Sequence, residues 1–279
     1  MKSLKFAALL LVTMLVATPL MAAEKDTIVF GVHPFKSPKK LVKMFKPVAD
    51  HVGAALGKEV RLVVSQSYEE LEQMYKNGQV DFGYMGPALY AKVGEDLNLQ
   101  PLARIKVKGK GTFQGVVVVK ENSPIKSLAD LKSKSFAFGD PASTLSHYVP
   151  HAMMMQQGVM LPDLEKYAFV GSHDNVAINV LNGNFTAGGL KPGVAKNYLD
   201  KGLRVLAQSE PVPEHIFVAS PKLDAKTYNG IKVAIFNASE PLKSIKKSID
   251  GVENAQYADY AELKKLMSEV DNTDPAKTK

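Results

Sequence analysis

The sequence predicts an α/β fold in two lobes, and three observations carry that prediction. From residue 27 onward, short apolar runs alternate with stretches of helical periodicity. Turn signals separate them: Gly57, Asn77-Gly78, Gly158 and Asn182-Gly183. The chain of 279 residues is long enough for two lobes and holds no cysteine, so a hydrophobic core rather than disulfides must support it. Such alternation implies a mainly parallel sheet with helices on both faces and a ligand beyond the carboxyl ends of its strands.

Residues 1–23 read as a secretory leader. Lys2 and Lys5 precede an apolar run, Pro19 breaks it, and Met21-Ala22-Ala23 supplies small residues for cleavage. The run is too short to span a membrane, and an exported protein diffusing in a bacterial periplasm is expected. Strands follow at 27–32, 60–64, 80–85, 101–107 and 113–119, with helices at 38–56 and 68–76 between them. In the first helix Leu41, Met44, Phe45, Val48, Val52 and Leu56 recur at helical spacing. Further on, a short helix is expected at 127–132 and strands at 135–138, 167–170, 185–190, 204–206, 216–219 and 231–236. Helices at 176–181, 239–249 and 260–270 complete the set, and a frayed tail is expected at 271–279.

The formal charge is +7, and two of those charges lie in the leader. A mild excess suits anionic ligands and equally a solvated lysine surface. No basic stripe interleaved with aromatics is present, so nucleic acid is not an expected partner.

The richest chemistry lies in Gly139-Asp140-Pro141-Ala142-Ser143-Thr144-Leu145-Ser146-His147-Tyr148-Val149-Pro150. The hydroxyls of Ser143, Thr144 and Ser146 sit where a strand ends and a helix begins. The first N–H groups of a helix lack internal partners and carry the positive end of its dipole, so this junction can seat a small oxyanion. The plainer alternative is an ordinary N-cap.

Several further segments, in order, carry a resemblance: Gly31-Val32-His33-Pro34, Ser67-Tyr68-Glu69, Val80-Asp81-Phe82-Gly83-Tyr84-Met85-Gly86-Pro87, Lys126-Ser127-Leu128-Ala129-Asp130-Leu131-Lys132, and Gly171-Ser172-His173-Asp174. Together with the Ser/Thr stretch and residues 181–188, they resemble the phosphate, phosphite and phosphonate substrate-binding proteins of ABC importers. The resemblance implies the class II periplasmic-binding-protein fold, two α/β lobes joined by two crossing hinge strands. One lobe would comprise 24–118 with 220–279 and the other 119–219, with the strands at 113–119 and 216–219 as the crossings. It implies that Ser143, Thr144 and, displaced by one position, Ser146 hold an oxyanion with His147 beside them. Tyr68 and Tyr84 would come from the opposite lobe, and His173 and Lys191 would complete the ligand set. Leu145, Phe113 and Thr186 stand where relatives place a serine, a tyrosine and an acid. With an acid gone and Lys191 nearby, the expected ligand is an anion without an amine: phosphate, phosphite or a small alkylphosphonate. Glu214 remains as a carboxylate on the second crossing. The implied partner is an ABC permease of the inner membrane, with a membrane sensor kinase as the alternative. The protein is expected to be a monomer without a cofactor.

Two other readings compete with this one. Asp140, Ser143 and His147 invite comparison with a catalytic triad, but no nucleophile-elbow pattern or orienting acid accompanies them, and no catalytic residue is assigned. His147 and His151 share the spacing of a helical metal pair, but Pro150 lies between them, and no metal ligand is assigned.

Overall fold

The structure is a computed structural model that describes residues 27–273, so the leader at 1–23 lies outside the described residues. In the first half, β1 (Thr27–Val32), α1 (Pro38–Leu56), β2 (Glu59–Val64), α2 (Tyr68–Lys76), β3 (Phe82–Met85), α3 (Pro87–Val93) and β4 (Gln100–Val107) follow one another. A two-residue strand, β5 (Thr112–Phe113), leads to β6 (Val116–Lys120), β7 (Ser135–Phe138), α4 (Val149–Gln156), β8 (Lys166–Phe169), α5 (His173–Leu181), β9 (Ala187–Leu190), α6 (Pro192–Leu199) and β10 (Leu203–Gln208). The chain returns through β11 (Val212–Pro213) to β12 (Ile216–Ala219), α7 (Ala225–Phe236), α8 (Ser239–Ile245), β13 (Ile249–Glu253) and α9 (Ala261–Thr273).

Two sheets result. The first has the order β13-β4-β12-β3-β1-β2 and the second β10-β6-β9-β7-β8. Each is parallel on one side only: β2-β1-β3 and β9-β7-β8 run parallel, whereas β12, β4, β13, β6 and β10 pair antiparallel. The expectation of mainly parallel sheets is therefore corrected. β4 leads through β5 to β6 and β10 leads back through β11 to β12 without an intervening helix, and β12 runs against β4 and β10 against β6.

Both sheets are covered on two faces. Phe30 on β1 stacks on its register partner Phe82 at 4.4 Å and meets Phe45 of α1 edge-on at 6.0 Å. On the other face Leu71, Tyr75, Leu89 and Tyr260 form a second cluster. In the second sheet Phe136 and Phe138 pack toward Met154, while Val118, Ala137 and Val180 pack on the reverse face.

Several elements differ from the sequence expectation. Residues 231–236, read as a strand for their β-branched content, lie in α7. Asp224 caps that helix from Oδ1 to the Thr227 N–H at 2.9 Å, and Ile231, Ala234 and Ile235 form its buried face. The expected helix at 239–249 stops at Ile245, and Ile249 opens β13 on the edge of the first sheet. The segments expected to cross between lobes, 113–119 and 216–219, are mostly absorbed into the sheets. The crossing itself is the short ribbon in which β5 pairs with β11.

Candidate functional site

All six parallel strands aim their carboxyl ends at one cleft between the two sheets. The loop after β1 brings His33, that after β2 leads to Tyr68, and that after β3 brings Gly86. Across the cleft, β7 leads to Ser143 and Thr144, β8 to His173 and β9 to Lys191. The ribbon adds Phe113 and, just beyond it, His215. Apart from His33, these residues line one narrow pocket together with Leu145. This is where open α/β sheets bind ligands.

Ser143 is an N-cap, its hydroxyl accepting from the Ser146 N–H at 3.3 Å. The helix opens as a π turn over Thr144–Tyr148 before α4 begins. Pro150 has no N–H to give to the preceding turn, and the wider turn accommodates it. The N–H groups of Thr144 and Leu145 open the helix and have no carbonyl one turn back to receive them.

The halves meet at three places around the pocket. The Ala88 N–H at the start of α3 donates to Thr144 Oγ1 at 2.9 Å. The Tyr68 side chain lines the pocket with Ser143, and burial, reinforced by the Asp140 charge, keeps its phenol protonated far above its ordinary range. Lys191 Nζ lies 4.1 Å from the centroid of the Phe35 ring. Ser67 sets the position of Tyr68 by capping α2, its hydroxyl accepting from the Glu70 N–H at 3.0 Å. Ser67→Ala should cost about 1 kcal/mol in chemical denaturation.

The histidines have defined tautomers. His33 Nδ1 lies 3.1 Å from the Tyr84 carbonyl, so Nδ1–H donates and Nε2 is left as a lone-pair acceptor. Nε2 is buried and has no hydrogen-bond partner. A Cβ built on Gly86 would lie 3.6 Å from it, 3.9 Å from Thr144 Oγ1 and 4.0 Å from Tyr68 Cε1, which places all three around one point. His173 Nδ1 accepts the Lys191 backbone N–H at 3.3 Å, so its proton sits on Nε2. His215 Nδ1 lies 2.8 Å from Glu214 Oε2.

Burial dominates the charges. It holds His33 well below the ordinary histidine value, with help from His215, and does the same to His173, with help from Lys191. Burial and then repulsion from Lys36 push Lys191 down to about 7. Burial alone would raise Glu214, but the bonds from His215 outweigh it and keep this carboxyl below its usual range. Negative charge placed beside Lys191 favours the protonated form of its amine.

Other expected site residues lie elsewhere. Ser146 packs against Gly139 and leaves no room there for a Cβ, so its hydroxyl is outside the pocket lining. The His147 ring turns the other way, its Nδ1 2.6 Å from the Pro141 carbonyl and its face among Phe138 and Phe169. Tyr84 stacks on His215 at 5.2 Å and lines an adjoining cavity rather than the seat. Thr186 bonds Ser135 at the start of β7, the end of the second sheet remote from the cleft, so an acid at that position would not have faced the pocket. The one carboxylate lining the adjoining cavity is Glu214, whose Oε2 is bonded to His215. His33 and His215 were missed as site residues. Their signal was position, directly after β1 and directly after the crossing ribbon.

The family described as ABC transporter, phosphonate, periplasmic substrate-binding protein matches residues 30–260. The phosphate-import protein PhnD of Mycolicibacterium smegmatis is 24% identical over 226 residues, which cover 74% of this chain and 70% of that protein. The probable ABC transporter phosphite-binding protein PhnD1 of Prochlorococcus marinus is 25% identical over 269 residues, covering 86% and 89%. The solved structure of that PhnD1, in complex with methylphosphonate, superposes with a TM-score of 0.80 at 21% identity, covering 88% of this chain and 98% of that one. The likeness to that structure is one of fold.

Proposed function

We propose a function from one premise: the chain belongs to the family of periplasmic substrate-binding proteins of phosphonate ABC transporters. Among the described residues no helix is long and apolar enough to cross a membrane. The protein is the binding component, and it hands its cargo to a permease.

The cargo we assign is a small phosphorus oxyanion that still carries a proton: phosphate, phosphite or an alkylphosphonate. One observation carries this reading. The pocket lining supplies donors, namely His173 Nε2–H, Lys191 and the helix-start N–H groups, and one bare buried acceptor, His33 Nε2, lies beside that lining at Gly86. A protonated phosphorus oxyanion offers oxygens to the donors and an O–H to the acceptor. Sulfate and sulfonates at neutral pH carry no such proton, and against them the His33 lone pair would stay unsatisfied. Ser143 and Thr144 present the helix start, Tyr68 closes the seat from the opposite lobe, and Lys191 supplies the charge-assisted bond. Ammonium-bearing ligands are disfavoured, since Lys36, Lys191 and Lys246 outnumber the one carboxylate, Glu214, around the adjoining cavity.

A thermal-shift and calorimetric panel of the mature protein tests this. Methylphosphonate, phosphite or phosphate should stabilise it by about 2.7 kcal/mol at a hundredfold excess over Kd. Methanesulfonate and sulfate should bind at least ~10-fold more weakly, the cost of one unsatisfied buried acceptor. His33→Phe, which removes the acceptor, should narrow that gap. No response to any phosphorus anion, or equal affinity for the sulfur ones, would sink the assignment.

A further inference from the structure

Next to the seat lies a second cavity of about 300 Å³, which shares Phe113, Lys191 and His215 with it. Its size matches the lower range of small-molecule sites, and it is larger than an inorganic anion or a methyl substituent requires. The walls are apolar: Phe35, Met44, Ile105, Phe113, Ile245 and Ile249. Lysines dominate the polar groups around it: Lys36, Lys191 and Lys246 stand against one carboxylate, Glu214, whose Oε2 is held by both the side chain and the backbone N–H of His215. A tail bearing an ammonium would meet like charge at Lys36 and Lys246 and lie against apolar walls.

We propose that this cavity receives the organic substituent of the ligand, and that the preferred ligand is a phosphonate with an apolar alkyl or aryl group larger than methyl. The inference rests on the phosphorus-oxyanion reading of the seat and extends it to the far end of the molecule. The phosphonate head is held between His173, Lys191 and the Ser143-Thr144 helix start. Its carbon chain leaves past Phe113 and His215, the residues common to both spaces, and lies along Ile105, Ile245 and Ile249. Burial of each methylene there removes apolar surface from water.

The test is titration calorimetry of the wild-type mature protein with methyl-, ethyl-, propyl-, butyl- and 2-aminoethylphosphonate. Affinity is expected to rise about fourfold with each added methylene, and 2-aminoethylphosphonate should bind more weakly than propylphosphonate, its near isostere. Met44→Trp, which fills the cavity from α1 without touching the seat, should leave methylphosphonate affinity unchanged and remove the gain for the butyl compound. If methylphosphonate binds and longer chains bind no tighter, the cavity proposal is overturned while the seat stands. If no phosphonate, phosphite or phosphate binds, the seat reading fails and takes this inference with it.

Discussion

Lys191→Met is expected to weaken oxyanion binding by roughly 10- to 100-fold, the worth of one hydrogen bond to a charged group, and at the same time to raise the melting temperature of the ligand-free protein. Both effects have one cause. Lys191 sits at the end of β9 against the Phe35 ring, where burial and Lys36 push its amine down to about 7. In the unfolded chain the same amine titrates near 10.4. Folding therefore favours the neutral amine. The resulting penalty is absent above the unfolded value, grows as pH falls from about 10 toward 7, and is constant below that. Methionine has no charge to lose, so at neutral pH the variant should be more stable by at least ~1 kcal/mol, or roughly 2–4 °C. The difference between variant and wild type should close as pH rises toward 10. The ligand side has the opposite sign. An anion raises the Lys191 value, so binding above pH 7 must take up a proton, and wild-type affinity should fall as pH rises through that range. Calorimetry in buffers of different ionisation enthalpy reads this uptake directly. A variant that binds as tightly as wild type, or one that takes up as many protons as wild type beyond the one the ligand itself acquires, would remove Lys191 from the seat.

Thr144→Val should reduce ligand affinity by about 5- to 150-fold with little change in the stability of either half. The Thr144 hydroxyl accepts the Ala88 N–H across the cleft at 2.9 Å. Valine keeps the shape and removes the acceptor, leaving a buried N–H at the start of α3 unpaired, at a cost of about 1–3 kcal/mol. That cost applies only while the halves are together, because in a separated arrangement the N–H meets water. The loss should thus appear in ligand-driven closure, measured as a smaller contraction in solution scattering at equal ligand saturation. Thr144→Ser restores the hydroxyl and should recover most of the affinity. Failure of serine to rescue would assign Thr144 a packing role instead.

The strand–turn–helix junction at Ser143 and Thr144 and the turns at Gly57 and Gly158 were legible in the linear chain. Capping and turn formation act over a few residues, and composition alone reports them. The α/β alternation was legible for the same reason, and the ordered motifs sufficed for the family. Sheet direction was not. Whether β12 runs with or against β3 depends on how the chain recrosses the ribbon, which local propensity does not encode. Residues 231–236 were misread because their β-branched composition was outweighed by a cap and a buried face on α7. Within the site, hydroxyls within three residues of one another looked equivalent, yet a π turn carries Ser143 and Thr144 into the pocket and sends Ser146 and His147 to the second lobe's interior. His33 and His215 come from opposite ends of the chain, and their rings lie 5.5 Å apart only because β1 and the ribbon meet at one cleft. Their tautomers and the depressed value of Lys191 arise from burial and from carbonyls and charges brought together by folding. The chemistry available to the chain was written in its residues; which groups face one anion was decided by packing, because burial and distance between remote segments set charge and hydrogen-bond roles.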